Sequence, residues 1–488
     1  MAWHAISKMF LFKKTLLSTS CEPGGTSLGV KYYFFCGQGR LGRSCDMKRR
    51  FLILCILASV GTARAEPNAM QPTAPAPASL TSPSPFALVQ YFIARQQWQA
   101  ARIALQDVAN DPAADPIEVL FLGGMIAIGN EDYASAIKQF QKILIDHPSI
   151  PRVRLELARA YFLAGDWAGA KYHFERVLAS DLPAPVVANV EHYLEQIRMQ
   201  RGYNFGFNFA LLPDSNINQA PSAQTIIIAG LPMVLNSDAR ETSGIGVLWR
   251  LGGDRWWQMS DQWRFTTGGS LLRKDYSKHQ FNDMILYARL GPRYLFEGGD
   301  TGFGVSLGKR LIGDHPYSNA NGLYVDSNYQ ITDHWWSYAS LESQKYRFVV
   351  GKGEPGTLTT ASGKLRYMLS PSSLVEGGLD LSRDTTISEI MRHNTVGVFL
   401  GYRSEAPFGL LYGVNLYASR SPYPVFQGFF DAFRKDELTS FTVDVTKRDW
   451  KIFDLSPTVS VTVIHNNSTI PFFTYRRTLG QFGFTRQF

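Results

Sequence analysis

The sequence predicts an α + β multidomain chain: an N-terminal α-helical repeat domain over 86–200, then a C-terminal transmembrane antiparallel β-barrel of about 14 strands over 203–488. Three observations predict it. Two helical segments align at a 34-residue step. At Tyr203 the apolar spacing changes from helical to every second residue and stays so. The chain then ends "RTLGQFGFTRQF" (477–488), in mid-alternation on an aromatic, where termini are usually loose and polar.

The leading residues are of another kind. "MKRRFLILCILASVGTARAEP" starts at Met47 with Lys48, Arg49 and Arg50, continues through a short apolar core from Phe51 to Val60, and reaches Ala63-Arg64-Ala65. This is the pattern of a secretory signal peptide over 47–65, cut between Ala65 and Glu66; the apolar run is too short to span a membrane. Met47 is then the expected initiator, and residues 1–46 read as sequence upstream of the true start. Residues 1–65 hold ten Lys and Arg but only two Asp and Glu, which leaves 39 basic and 39 acidic residues. The apparent basicity disappears, and with it the electrostatic support for a nucleic-acid partner. Cys21, Cys36, Cys45 and Cys55 all precede Glu66, so disulfides, thiol catalysis and cysteine-ligated metal are not expected of the exported protein. Residues 66–85, "EPNAMQPTAPAPASLTSPSP", cannot bury apolar surface and read as a disordered linker.

In the helical part, Gly124, Tyr133, Ala136 and Phe140 return as Ala158, Trp167, Ala170 and Phe174. Small residues let paired helices approach, and the aromatics fill the space between them. The period and pattern resemble the tetratricopeptide repeat. Trp98, Ala101 and Leu105 make a partial earlier copy, and Val186–Gln200 a capping helix with Val190, Tyr193, Leu194 and Ile197 on one face.

From Tyr203 the alternation is explicit. "YNFGFNFAL" sets Tyr203, Phe205, Phe207 and Phe209 on one side, and "TVSVTVIH" does the same with Val459, Val461 and Val463. One face meets an apolar medium and the other a polar one. Tight turns such as "EGGD", "ITDH" and "EAPFG" alternate with longer stretches expected at 212–237 and 420–435, the asymmetry of an outer-membrane barrel. Trp256, Trp257, Trp263, Trp335, Trp336 and Trp450 are expected at the membrane interface. Arg250, Arg264, Arg273, Asp326, Glu376, Asp380, Arg403 and Asp444 are expected to face the lumen; their mixed signs suit structural ion pairing better than ion selectivity. Phe482, Phe484 and Phe488 should face lipid. A terminal Phe on such a strand resembles the signal read by the barrel-assembly machinery of Gram-negative bacteria.

No catalytic, cofactor or metal site is expected. "GFGVSLGK" (302–309) is one residue short of a phosphate loop, lacks the following Ser or Thr, and alternates as a strand. The histidines are scattered without metal-binding spacing.

The order of signal peptide, short repeat domain and fourteen-strand barrel resembles the surface lipoprotein assembly modifier family. Locally the resemblance lies in "NFGFNFALLPDSNINQAP" (204–221), above all Pro213, Asp214, Ser215, Asn216, Ile217 and Asn218, and in "DARETSGIGV" (238–247). It implies an outer-membrane translocator, with its repeats in the periplasm, that delivers lipoproteins to the cell surface or haem-binding proteins to the medium. The repeats would engage the client, and the barrel would give a polar passage or a seam that opens. Partners would be the client, outer-membrane lipid and the assembly machinery. An exopolysaccharide export porin and a passive nutrient porin are the alternatives.

Overall fold

The computed structural model describes residues 85–200, 202–349, 355–450, 452 and 455–485. The proposed upstream segment, the signal sequence with Ala65 and Glu66, nearly all of the 66–85 linker, and Phe488 lie outside the described residues.

Helices come first: α1 Ala87–Ala94, α2 Trp98–Ala109, α3 Pro116–Gly129, α4 Tyr133–Asp146, α5 Pro151–Leu163, α6 Trp167–Val177 and α7 Ala184–Gln200. Three begin on an aspartate whose carboxylate accepts an otherwise orphaned backbone N–H: Asp115 from Ile117, Asp132 from Ser135 and Asp166 from Gly169. Hydrogen bonding to Ser135 also holds the Asp132 carboxyl below its usual range.

The repeat residues meet where the helices cross. A Cβ on Gly124 would come within 2.6 Å of the Phe140 ring, so only glycine lets α3 and α4 lie this close. Ala136, Phe140, Ala158, Ala170 and Phe174 are all fully buried, while Tyr133 and Trp167 are half-buried. Trp167 sets its ring edge-on to Phe162, and α7 closes the array by stacking Tyr193 on Phe174 at 5.0 Å. Full burial of a phenylalanine is worth about 1.5–3 kcal/mol, so Phe140 and Phe174 anchor their repeats.

From Tyr203 the chain winds into a closed antiparallel barrel of fourteen strands. They are β1 Tyr203–Asp214, β4 Gly244–Gln258, β5 Trp263–Tyr276, β6 Asp283–Phe296, β7 Gly299–Ile312, β8 His315–Gln330, β9 Trp335–Phe348, β10 Pro355–Ser370, β11 Ser373–Thr386, β12 His393–Ala406, β13 Leu410–Gln427, β14 Ala432–Lys447, β15 Ser456–Ser468 and β16 Tyr475–Thr485. A separate hairpin, β2 Thr225–Ile228 with β3 Leu231–Val234, stands in the β1–β4 connection. β16 closes on β1, pairing Asn208–Leu211 with Phe482–Thr485 in antiparallel register. Val459, Val461, Val463 and Phe482 are 43–49% exposed on the outer wall, while Asn208, Thr462 and Thr485 are buried on the inner one. "GFGVSLGK" lies inside β7.

Three expectations need correction. The stretch 420–435 is mostly ladder: β13 and β14 continue past the polar Arg420 and Glu437, and only 428–431 turns. Pro422 and Pro424 favour a loop on sequence grounds, but they fall where the register shifts and no ladder N–H is required. Trp256 and Trp336 are not interfacial. Trp256 is on the inner face under the Arg264 guanidinium, and Trp336 packs on Ala179 of the helical domain. Near the helices the outer wall carries aromatics that include Trp257, Trp263, Tyr294, Phe296, Tyr329, Trp335 and Tyr367, and the opposite end carries the pair Phe426 and Phe433. Arg273 is the third: it points outward and pairs with Asp275 and Asp314 at the far rim.

Candidate passage and its two ends

The inner wall of the barrel is polar because every second residue of each strand faces it. Charges there are paired within the wall: Arg264 with Asp300 at 3.6 Å, Arg293 with Asp326 at 2.7 Å, Arg289 with Asp254 at 3.0 Å, and Arg310 with Asp283 at 2.6 Å. On the opposite side, Glu376 lies 3.3 Å from both Lys364 and Arg366, and Arg403 lies 3.7 Å from Asp444. Arg250 and Asp380 share the inward face. Hydroxyl pairs such as Thr442 with Thr462 fill the gaps between charges. Such a wall attracts neither sign strongly and offers hydrogen-bonding groups over most of its face, interrupted by an apolar cluster of Phe399, Tyr417, Leu438, Ile464 and Tyr475 across β12–β16. It suits an extended polypeptide better than one kind of ion.

At the near end the helical domain is fixed to the rim by a buried ionic cluster. Glu405, at the end of β12, receives Arg154 of α5 at 2.7 Å, the Tyr172 hydroxyl of α6 at 2.7 Å, Arg176 at 3.8 Å and Arg448 of the β14–β15 turn at 3.1 Å. Arg154 also donates to the Pro148 carbonyl and approaches His173 Nδ1 at 3.3 Å. Arg176 donates to the Pro371 carbonyl, and the Gly409 amide to the Ile145 carbonyl. Burial, reinforced by the Arg154 charge, pushes the His173 imidazole well below its ordinary pKa. Ala179 packs with Met368, Leu374 and Trp336 beside this cluster. The repeats thus stand directly over the mouth of the barrel.

Sequence reasoning misses this cluster, although one signal is present. Arg154 sits one residue from Val153 and three from Leu157, both buried, on the apolar face of α5. An arginine on such a face requires a buried partner.

At the far end, the stretch Pro213–Asn218 builds a knot of hydrogen bonds. The Asp214 carboxylate accepts from Arg477 Nη2 at 2.6 Å, from the Tyr276 hydroxyl at 2.9 Å and from the Asn216 amide at 2.9 Å. Asn216 donates to the carbonyls of Ala220 and Arg476, and Asn218 to that of Arg240. Ser215 exchanges two bonds with Thr478, its amide donating to the carbonyl and its hydroxyl accepting from the amide. The motif residues are therefore brought together, at the joint between β1 and β16. Above them, Ile226, Ile228 and Leu235 of the loop hairpin bury themselves against Ile470, Phe472 and Phe473, and the Arg434 guanidinium lies 3.4 Å from the Phe473 ring centroid. Phe482 and Phe484 are on the outer wall of the same joint.

Comparison with known proteins fits this geometry. The family model "Surface lipoprotein assembly modifier" matches residues 203–488, and that for the N-terminal TPR repeats of the same family matches 86–174. "Surface lipoprotein assembly modifier 1" of Neisseria meningitidis is 24% identical over 394 residues, 79% of either chain. The Pasteurella multocida protein "Surface lipoprotein assembly modifier" is 21% identical over 402 residues, 77% of either chain. "Surface lipoprotein assembly modifier 1" of Haemophilus influenzae is 23% identical over 356 residues, covering 70% of this chain and 72% of its own.

Proposed function

Since the chain belongs to the surface lipoprotein assembly modifier family, we propose that it delivers a lipoprotein client across the outer membrane to the cell surface. The barrel sits in the outer membrane, with the helical repeats on its periplasmic side. The observation that carries the reading is the placement of the repeats: an array able to hold an extended peptide is locked over the near mouth of a polar-walled barrel through Glu405. A client held there would have its next segment at the lumen entrance. The lumen would then offer it hydrogen bonds in place of those it gives up in water. No chemical step is assigned to the protein, and the driving force is assigned to client folding outside or to a periplasmic donor. A soluble haem-binding client would use the same route without an anchor. The relatives' names favour a lipid-anchored one.

The test is co-expression with an exported lipoprotein encoded beside the gene, in a Gram-negative host that lacks both. Protease added to intact cells should remove the client only when the translocator is present. Deleting 86–200 should leave the barrel in the membrane and reduce client exposure. If the client stays protease-protected while a polysaccharide or a small solute gains passage, the porin readings replace this one.

A further inference from the structure

The joint between β1 and β16 is built unlike the pairing on the other side of β1. Against β4, every residue of β1 from Tyr203 to Asp214 has a partner. Against β16, pairing covers Asn208–Leu211, lapses at Leu212 and Pro213, and resumes only at Asp214 with Leu479. Proline has no N–H to give, and the residue across from it in register, Gly480, has no side chain. A Cβ on Gly480 would lie 3.0 Å from the Pro213 ring, so the ring itself fills that position on the lipid face.

Beyond the gap the backbone contributes the Asp214–Leu479 pair and the Ser215 amide bond to the Thr478 carbonyl, and side chains supply the rest of the joint. Asp214 and Arg477, 0% and 3% exposed, bridge the two strands, and Tyr276 of β5 supports the carboxylate. Asn216 reaches the Arg476 carbonyl from the following loop. Parting this joint requires release of the side-chain bonds and of a ladder interrupted at Leu212 and Pro213, whereas the β1–β4 joint is paired without a break from Tyr203 to Asp214.

We propose that the β1–β16 seam parts laterally during delivery, with the Pro213–Gly480 gap as its weak point and the Asp214–Arg477 pair as its clasp. The acyl chains of the client's anchor then cross within the bilayer while the polypeptide stays in the lumen. This rests on the translocator reading above. The lumen wall is mostly ion pairs and hydroxyls, and its apolar side chains Phe399, Tyr417, Leu438, Ile464 and Tyr475 are packed on one another across β12–β16. The outer wall of the seam is apolar: Leu211 and Phe482, partners in register, are 50% and 49% exposed to lipid.

All four cysteines of the chain precede Glu66, so a cysteine pair introduced in the barrel meets no native thiol there. Leu211→Cys with Phe482→Cys places one across the seam, and Val398→Cys with Ala418→Cys places a control across the fully paired β12–β13 joint. Each protein is assembled reduced, oxidised in intact cells, and assayed for surface exposure of the lipidated client and of the same client without its lipidation site. Oxidation of the seam pair should abolish exposure of the lipidated form, reductant should restore it, and the unlipidated form should cross regardless. The control pair should affect neither. Unimpaired delivery of the lipidated client through a fully cross-linked seam overturns the proposal and leaves the translocator reading intact. Block of both forms also overturns it, since the opening would then serve the polypeptide. If wild-type protein delivers neither form, the translocator reading falls, and this proposal with it.

Discussion

Val461 and Thr462 are neighbours in β15 with opposite surroundings. Val461 is 43% exposed on the outer wall, and Thr462 is 3% exposed, hydrogen-bonded to Thr442 on the inner one. A lysine at 461 puts an ammonium into hydrocarbon, which costs roughly 2–4 kcal/mol near the bilayer midplane. A lysine at 462 breaks a hydroxyl pair but faces a polar lumen that already holds several ion pairs. Val461→Lys should therefore lower the yield of heat-modifiable barrel much more than Thr462→Lys. Equal tolerance would mean the inside–outside register of β15 is shifted by one residue. Arg154 and Asp214 teach the complementary lesson: each is a charge wholly removed from water, and each is bonded to residues remote in the chain.

Among the elements, those with a regular period are legible in the sequence. Alternation places Phe205, Phe209, Val459 and Phe482 on one wall because a strand has no other way to turn a side chain. The repeat spacing identifies Gly124 and Phe140 as a contact for a similar reason. Elements that depart from local rules are not legible. Pro422 and Pro424 argue against a ladder that in fact continues around them, and Trp256 is aromatic at a strand end yet faces inward. Period shows which face is covered but not what covers it, so the Glu405 cluster, joining residues up to 251 positions apart, leaves only the trace at Arg154. The last strand carries a prediction of its own. With Phe482 and Phe484 on the lipid wall of the seam, Phe488 continues the same alternation in sequence. If Phe488 belongs to the assembly signal and to the lipid-facing side of the strand, Phe488→Ala should reduce the amount of assembled barrel. Membrane levels measured by heat-modifiable mobility report it, and unchanged levels would remove the terminal aromatic from the assembly signal.

At the scale of the whole molecule the question is what holds the repeats over the barrel, and the answer gives a pH dependence of definite sign. His173 is packed among Arg154, Tyr161, Tyr172, Glu405, Arg176 and Arg448, and burial beside the Arg154 guanidinium keeps its imidazole neutral well below the ordinary value of 6.5. An undocked His173 regains protons as pH falls below 6.5, while the docked one excludes them. Docking is thus at full strength above that pH and weakens progressively beneath it, down to the lowered pKa of the docked state. The protection factor of the Gly409 amide, which donates to the Ile145 carbonyl across the junction, should therefore fall as pH is lowered through this window, its exchange moving closer to the intrinsic rate at each pH. His173→Gln, neutral at every pH, should flatten the response. Glu405→Gln should raise exchange at all pH values, since it leaves Arg154 and Arg176 buried without their counter-charge, a loss of about 3–5 kcal/mol. If Gly409 stays equally protected in wild type and both variants, the ionic cluster does not hold the domain, and the docking must rest on the apolar contact of Ala179 with Met368, Leu374 and Trp336.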